Sequence, residues 1–145
     1  MGVFDFEQLD VFSVSVEMVL CVDGIAGNLP KGRGYMRDQL RRAANSVVLN
    51  IAEGAGEYSA GDKARFYRMA KRSATEAAAQ VIVANRLSLT EAADVARASE
   101  LLHRIVSMLV RMAARAERRG AQDSCVDLCR CAAVPTLCAV RGSAD

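Results

Sequence analysis

Apolar residues recur at intervals of three and four along most of the chain, which is the spacing of one face of an α-helix. The pattern is clearest between residues 39 and 54, where one face carries Leu40, Ala43, Ala44, Val47 and Ile51. Similar stripes predict helices at about residues 4–27, 35–53, 60–87 and 89–119. We therefore expect an all-α helical domain over residues 1–120, followed by a tail at 121–145.

Turn and capping signals separate these helices. Residues 28–34 contain one proline and two glycines, which is typical of a connection. Ser59 stands three residues before Asp62, and Ser88 three residues before Glu91, so each serine is predicted to cap the helix that follows it. The tight turn after the third helix predicts that it runs antiparallel to the fourth.

Two glycines indicate where helices end. Gly54 follows the second apolar stripe and Gly120 follows the fourth. Because glycine is favoured directly after the last residue of a helix, both are predicted to terminate the helix before them.

The composition favours closely packed helices. The hydrophobic fraction is 52%, but aromatic residues make up only 5% and Trp is absent, so Ala, Val, Leu, Ile and Met must fill the core. The third stripe is mostly alanine: Phe66, Ala70, Ala74, Ala77, Val81 and Ala84. On the fourth helix an apolar arc of roughly 160° runs from Leu101 to Ala113, wider than the 100° or so that one core requires. Part of that arc is therefore expected to contact another subunit.

Positive charge is concentrated in the middle of the chain. The net charge is only +2, yet residues 31–72 hold ten Lys/Arg and four Asp/Glu. The fourth helix adds a narrow basic strip: Arg97, Arg104, Arg111, Arg115 and Arg118. Such strips are solvated helix faces in many proteins, and binding surfaces for polyanions or acidic partners in others.

No catalytic or metal-binding pattern stands out. His103 is the single histidine, and Gly32-Arg33-Gly34 lacks the surroundings of a phosphate-binding loop. Four of the five cysteines, Cys125 to Cys138, lack the paired spacing of a zinc site. The first ten residues do not resemble a signal peptide, and no apolar run is long enough to span a membrane. We therefore expect a cytoplasmic protein without a cofactor, whose tail is poorly ordered or loosely packed.

Several segments together resemble the 23S rRNA intervening-sequence proteins, a small bacterial family of four-helix bundles that is also called S23-like. The resemblance is carried by residues 39–44 (QLRRAA), 50–54 (NIAEG), 6–12 (FEQLDVF) and 57–70 (EYS to FYRMA). It covers about residues 4–119. The chain departs from the family pattern at Phe12, where Trp is common, and at residues 46–49, where Pro is common.

The resemblance implies an antiparallel up-down four-helix bundle that assembles into a homo-oligomeric ring, commonly a pentamer. The chain is more distantly similar to the accessory variability proteins of diversity-generating retroelements, which engage nucleic acid and a reverse transcriptase. Members of the family are often encoded inside inserts in ribosomal RNA genes. The residues that match the family motifs include four polar positions within helices: Asn50, Glu53, Ser73 and Glu76. Since buried polar groups need partners, these four are predicted to form a structural network between helices, with Arg41 or Arg42 as a further member.

The preferred hypothesis is a non-enzymatic oligomer that presents basic surfaces to nucleic acid, RNA in preference to DNA. Contacts would be made to phosphates. The candidate residues are Arg37, Arg41, Arg42, Arg65, Arg68, Lys71, Arg72, Arg97, Arg104 and Arg111. The alternative is a scaffold or adaptor for a protein partner such as a reverse transcriptase, with no direct role in nucleic-acid binding. An enzymatic role is the least favoured hypothesis.

Overall fold

The computed structural model describes residues 4–131, with side chains described as far as Gln122. A short 3-10 helix (Asp5–Gln8) comes first. It is followed by α1 (Asp10–Asn28), α2 (Gly34–Gly56), α3 (Ala60–Arg86) and α4 (Ala92–Cys131). Over these described residues the fold is all-α, without a strand. The predicted tail begins inside α4, and the side chains of Cys125 to Cys138 lie outside the described residues.

The four α-helices pack around a shared core, as in a four-helix bundle. Helices α2 and α4 each contact both α1 and α3, whereas the described backbones of α1 and α3 stay apart, as do those of α2 and α4. The largest fully buried side chains come from α1, α2 and α4: Met18, Ile25, Leu40, Ile51, Leu102, Ile105 and Leu109. Burial of each such side chain contributes about 1.5–3 kcal/mol.

The wide apolar arc of α4 is accounted for within the chain. Leu101, Leu102, Ile105 and Leu109 are buried, while Val106, Met108 and Met112 pack against the core with part of their surface exposed. Because α4 touches both α1 and α3, it needs more apolar surface than a helix with one neighbour. The width of the arc therefore does not call for a second subunit.

The first predicted helix is divided at Leu9. This residue has an extended backbone, with φ −86° and ψ 124°, between the 3-10 helix and α1. The division brings three aromatic rings together: Phe6 lies 5.3 Å from Phe4 and 4.8 Å from Phe12, measured between ring centroids. Spacings of three fit a 3-10 helix as well as an α-helix, so the apolar pattern did not reveal the break.

One of the two predicted serine caps is confirmed and the other is wrong. Ser59 Oγ accepts a hydrogen bond from the backbone N–H of Asp62 at 3.3 Å, as predicted. Ser88 instead has a positive φ of 55° and lies beyond the end of α3. The N–H of Ser88 donates to Asn85 O and that of Leu89 donates to Ala84 O. This pair of bonds is the Schellman arrangement that ends helices, and α4 begins only at Ala92.

Gly54 and Gly120 do not terminate helices. Helix α2 continues to Gly56 and α4 runs through Gly120 to Cys131. At Gly54 the reason for glycine is packing against α3, because a Cβ there would lie 2.8 Å from Tyr67 Cε1 and 3.1 Å from Phe66 Cβ. The last residue of the Asn-Ile-Ala-Glu-Gly motif thus allows α2 and α3 to approach closely.

Substitution of Gly54 by Ala should lower the free energy of unfolding by about 1–2 kcal/mol. The Tyr67 ring and the Phe66 Cβ must move, and that strain outweighs the gain in helix propensity. Gly24→Ala is the matched control, because a Cβ at Gly24 meets nothing within 4 Å. The control should be stabilised by about 0.5–1 kcal/mol. Urea denaturation measures the free energy of unfolding of each variant. Equal changes for Gly54→Ala and Gly24→Ala would contradict the close contact between Gly54 and Tyr67.

Substitution of Ser88 by Gly should raise stability by about 0.5–1 kcal/mol. The gain arises because glycine adopts a left-handed backbone without the steric cost that serine carries at φ 55°. Ser107, which is exposed in the middle of α4, is the control. Ser107→Gly should instead destabilise the protein by about 0.5 kcal/mol. A fall in melting temperature for Ser88→Gly would contradict the assignment of Ser88 to the helix end.

Candidate nucleic-acid interface

A small polar cluster joins α2 to α3. Ser46 Oγ and Ser73 Oγ lie 2.9 Å apart, within hydrogen-bond distance. Asn50 Nδ2 donates to the Ser46 carbonyl at 2.7 Å and to Ser46 Oγ at 3.1 Å. Asn50 is buried, so these bonds satisfy an amide that would be costly to leave unpaired. Ser46, which the sequence analysis did not select, is the residue that connects the two predicted positions.

The two glutamates of the predicted network lie at its edge or apart from it. Glu76 is exposed, accepts a hydrogen bond from Gln80 Nε2 at 3.4 Å and lines a shallow groove with Arg72 and Asn50. Glu53 is exposed and forms no hydrogen bond or ion pair with any other described residue. Of the two arginines proposed as a further member, Arg41 pairs with Asp23 of α1, and the Arg42 side chain has no partner among the described residues.

Arg37 binds the end of α1. Its Nε donates to Ala26 O and its Nη2 to Leu29 O, both at 3.0 Å. The last carbonyls of a helix lack partners within the helix and carry partial negative charge, so a guanidinium is well suited to them. Arg37 is half-buried in this position, and its charge is directed into the protein rather than toward solvent.

Four of the other predicted arginines form ion pairs. Arg41 Nε lies 2.6 Å from Asp23 Oδ1, and Arg65 Nε lies 3.4 Å from Asp62 Oδ1. Like the pair of Arg41 with Asp23, the two remaining pairs join different helices: Arg68 pairs with Glu117, and Arg97 pairs with Glu17. Arg65 also lies over the Phe66 ring. These side chains are between 40% and 62% exposed. Exposed ion pairs contribute roughly 0–1 kcal/mol, so a phosphate could replace the carboxylates at little cost.

The other five predicted cations are exposed and unpaired within the described part of the chain: Arg42, Lys71, Arg72, Arg104 and Arg111. They are distributed over α2, α3 and α4. Of these five, Arg111 lines a groove together with other cations.

This group of cations lines a groove between α1, α3 and α4. Arg111, Arg115 and Arg119 of α4, with Lys63 of α3, surround a space of about 520 Å³ beside the first residues of α1. Its apolar lining comprises Leu9, Val11, Tyr67, Met108, Met112 and Ala116, and Asp10 supplies the one carboxylate. The sequence analysis missed Lys63 and Arg119. The spacing of four between the three arginines was the available signal.

Two other candidates for chemistry prove unremarkable. Burial, with a further contribution from Asp94, raises the pKa of the Cys21 thiol, so this cysteine is protonated and weakly nucleophilic at neutral pH. His103 is exposed on α4. Within the described residues, three or more potential metal ligands do not come together at any point.

These features define a four-helix all-α protein with a polar cluster between two helices and exposed cations on three of them. The chain matches the 23S rRNA-intervening sequence protein family over residues 7–111, and it belongs to that family. No curated protein is significantly similar to it. In the part of the chain that the structure describes, no helix combines the length and the apolarity that a membrane crossing requires.

Arg37→Gln should lower the free energy of unfolding by about 1–3 kcal/mol, because two charge-assisted hydrogen bonds to the end of α1 are lost. Arg42→Gln removes the same charge from an exposed position on α2 and should change stability by less than about 0.5 kcal/mol. Thermal denaturation compares the two. If both variants melt alike, the contact with α1 carries no stability and Arg37 is available to bind ligands.

Proposed function

We propose that this protein is a non-enzymatic, homo-oligomeric, cytoplasmic nucleic-acid-binding protein that contacts the phosphates of RNA in preference to DNA. The observation that carries the proposal is the set of exposed cations that have no carboxylate partner among the described residues. They include Arg42, Arg72 and Arg104 on three different helices. Membership of a family named for an intervening sequence of 23S rRNA favours RNA as the nucleic acid.

The proposed bundle is antiparallel and up-down, and it assembles into a ring, with a pentamer favoured. Two contacts between α2 and α3 support the antiparallel order: Ser46 meets Ser73, whereas Gly54, later in α2, meets Tyr67, earlier in α3. Neighbouring subunits of a ring use two different surfaces of each chain. Exposed apolar pairs four residues apart supply two such surfaces: Val16 with Leu20 on α1, and Val83 of α3 with Leu87 directly after that helix. A ring also repeats every basic face, so weak phosphate contacts add up.

Fluorescence anisotropy with structured RNA and with duplex DNA, each at low and near-physiological salt, tests the proposal. We expect saturable RNA binding that weakens steeply with salt, because phosphate contacts release counterions. A variant with Arg42, Arg72 and Arg104 changed to Gln should bind at least about tenfold more weakly and with a smaller salt dependence.

The matched control changes three ion-paired arginines, Arg41, Arg65 and Arg97, to Gln. It removes the same formal charge but should weaken binding less, because carboxylates already neutralise those side chains. Light scattering gives the mass of each protein, and a single-chain mass would contradict the oligomer. Absence of binding even at low salt would contradict the nucleic-acid role and favour the scaffold for a protein partner such as a reverse transcriptase.

A further inference from the structure

The groove between α1, α3 and α4 brings together four cationic side chains and one carboxylate. Arg111, Arg115 and Arg119 line it, and none of them forms a hydrogen bond or ion pair with another described residue. The Lys63 ammonium, which also lines it, donates only a long bond of 3.5 Å to Ala55 O. A group with several charged acceptor oxygens, such as phosphate, matches this set of donors.

Part of the lining of the same groove is apolar and adaptable. Met108 and Met112 contribute flexible side chains beside Leu9, and methionine adjusts readily to the shape of a bound group. The volume of about 520 Å³ is in the usual range for a small-molecule site. An occupant that combines an anionic end with an apolar or flat body of modest size would match both parts of this lining.

Tyr67 brings an unused hydrogen-bond donor to this groove. The residue is only 5% exposed and lines the groove, yet its hydroxyl has no hydrogen-bond partner among the described residues. Burial raises the pKa of Tyr67, so the hydroxyl keeps its proton well above neutral pH. Its ring packs closely against Gly54, where a Cβ would lie 2.8 Å from Tyr67 Cε1.

We propose that this groove binds one unpaired nucleotide of an RNA chain. The phosphate is held by Arg115, its neighbouring cations and the Tyr67 hydroxyl, and the base lies on Met108 and Met112. This inference rests on the proposed RNA-binding function and names the part of the RNA that is recognised. A base enters such a groove only when it is free of its pairing partner, so the groove selects loops or ends over duplex. A peptide of acidic residues alone would satisfy the cations but leaves the apolar part of the lining without a matching group.

Equilibrium binding of a fluorescein-labelled single-stranded RNA and of a fully paired RNA duplex tests the inference, with the full chain. Tyr67→Phe and Arg115→Gln should each weaken binding of the single strand about tenfold, and that of the duplex by less than about threefold. Arg42→Gln is the control, because it removes the same charge as Arg115→Gln from an exposed position outside the groove. It should affect both RNAs alike. Tyr67→Phe keeps the ring, and its melting temperature verifies that the fold is unchanged.

Competition distinguishes the possible occupants. Adenosine monophosphate should displace the single strand at lower concentration than inorganic phosphate, adenosine or a polyglutamate peptide, and Tyr67→Phe should reduce its affinity. If inorganic phosphate displaces the single strand equally well, the proposed contact between the base and the groove is overturned. If the polyglutamate peptide displaces it at lower concentration, the assignment of a nucleotide as the occupant is overturned.

The two proposals can fail separately. If RNA binds but Tyr67→Phe and Arg115→Gln behave like Arg42→Gln, the groove inference is overturned and the RNA-binding function stands. If no RNA binds but the mononucleotide binds in a manner that depends on Tyr67, the groove is a nucleotide site and the RNA-binding function is overturned. If neither binds, both are overturned.

Discussion

The close approach of α2 and α3 is the constraint on which much of the structure depends. Of the seven buried residues of α3, five are alanines: Ala64, Ala70, Ala74, Ala77 and Ala84. Small side chains let neighbouring backbones approach, so most of the large core side chains come from the other three helices, and α3 adds Tyr67 and Val81. At Gly54 the approach leaves no space for a Cβ, and the Tyr67 ring fills the available volume. The polar contact between Ser46 and Ser73 crosses the same interface farther along.

The spacing of apolar residues was sufficient to predict the four helices, because burial of one helix face is a regular and repeated requirement. The local signals at helix ends were less informative. A glycine satisfies a helix end or a close contact equally well, and only the position of Tyr67 shows which applies at Gly54. Similarly, a serine three residues before an acid suits a helix start, but at Ser88 the end of α3 sets the backbone.

Charges were visible in the sequence, but their partners were not. Arg37 stands eleven residues from Ala26 and Arg68 stands forty-nine from Glu117, so only the packing of helices shows that these cations are engaged. The polar cluster was half predicted, since Asn50 and Ser73 meet through Ser46, which has no distinguishing pattern of its own. The groove combines Leu9, Lys63 and Arg115 from three separate segments, and no short motif could have revealed it.

The basic surfaces differ in how many carboxylates lie beside their cations. Where Arg41, Arg68 and Arg97 are paired, an incoming phosphate must first displace an acid and then remain close to it. Each displacement costs little, because exposed pairs are weak, but the displaced acid still repels the ligand. The groove has four cations and only Asp10 to oppose them, and no ion pair between described residues must break there. Under the proposal, a phosphate would therefore meet little opposing charge in the groove, beside the Tyr67 hydroxyl.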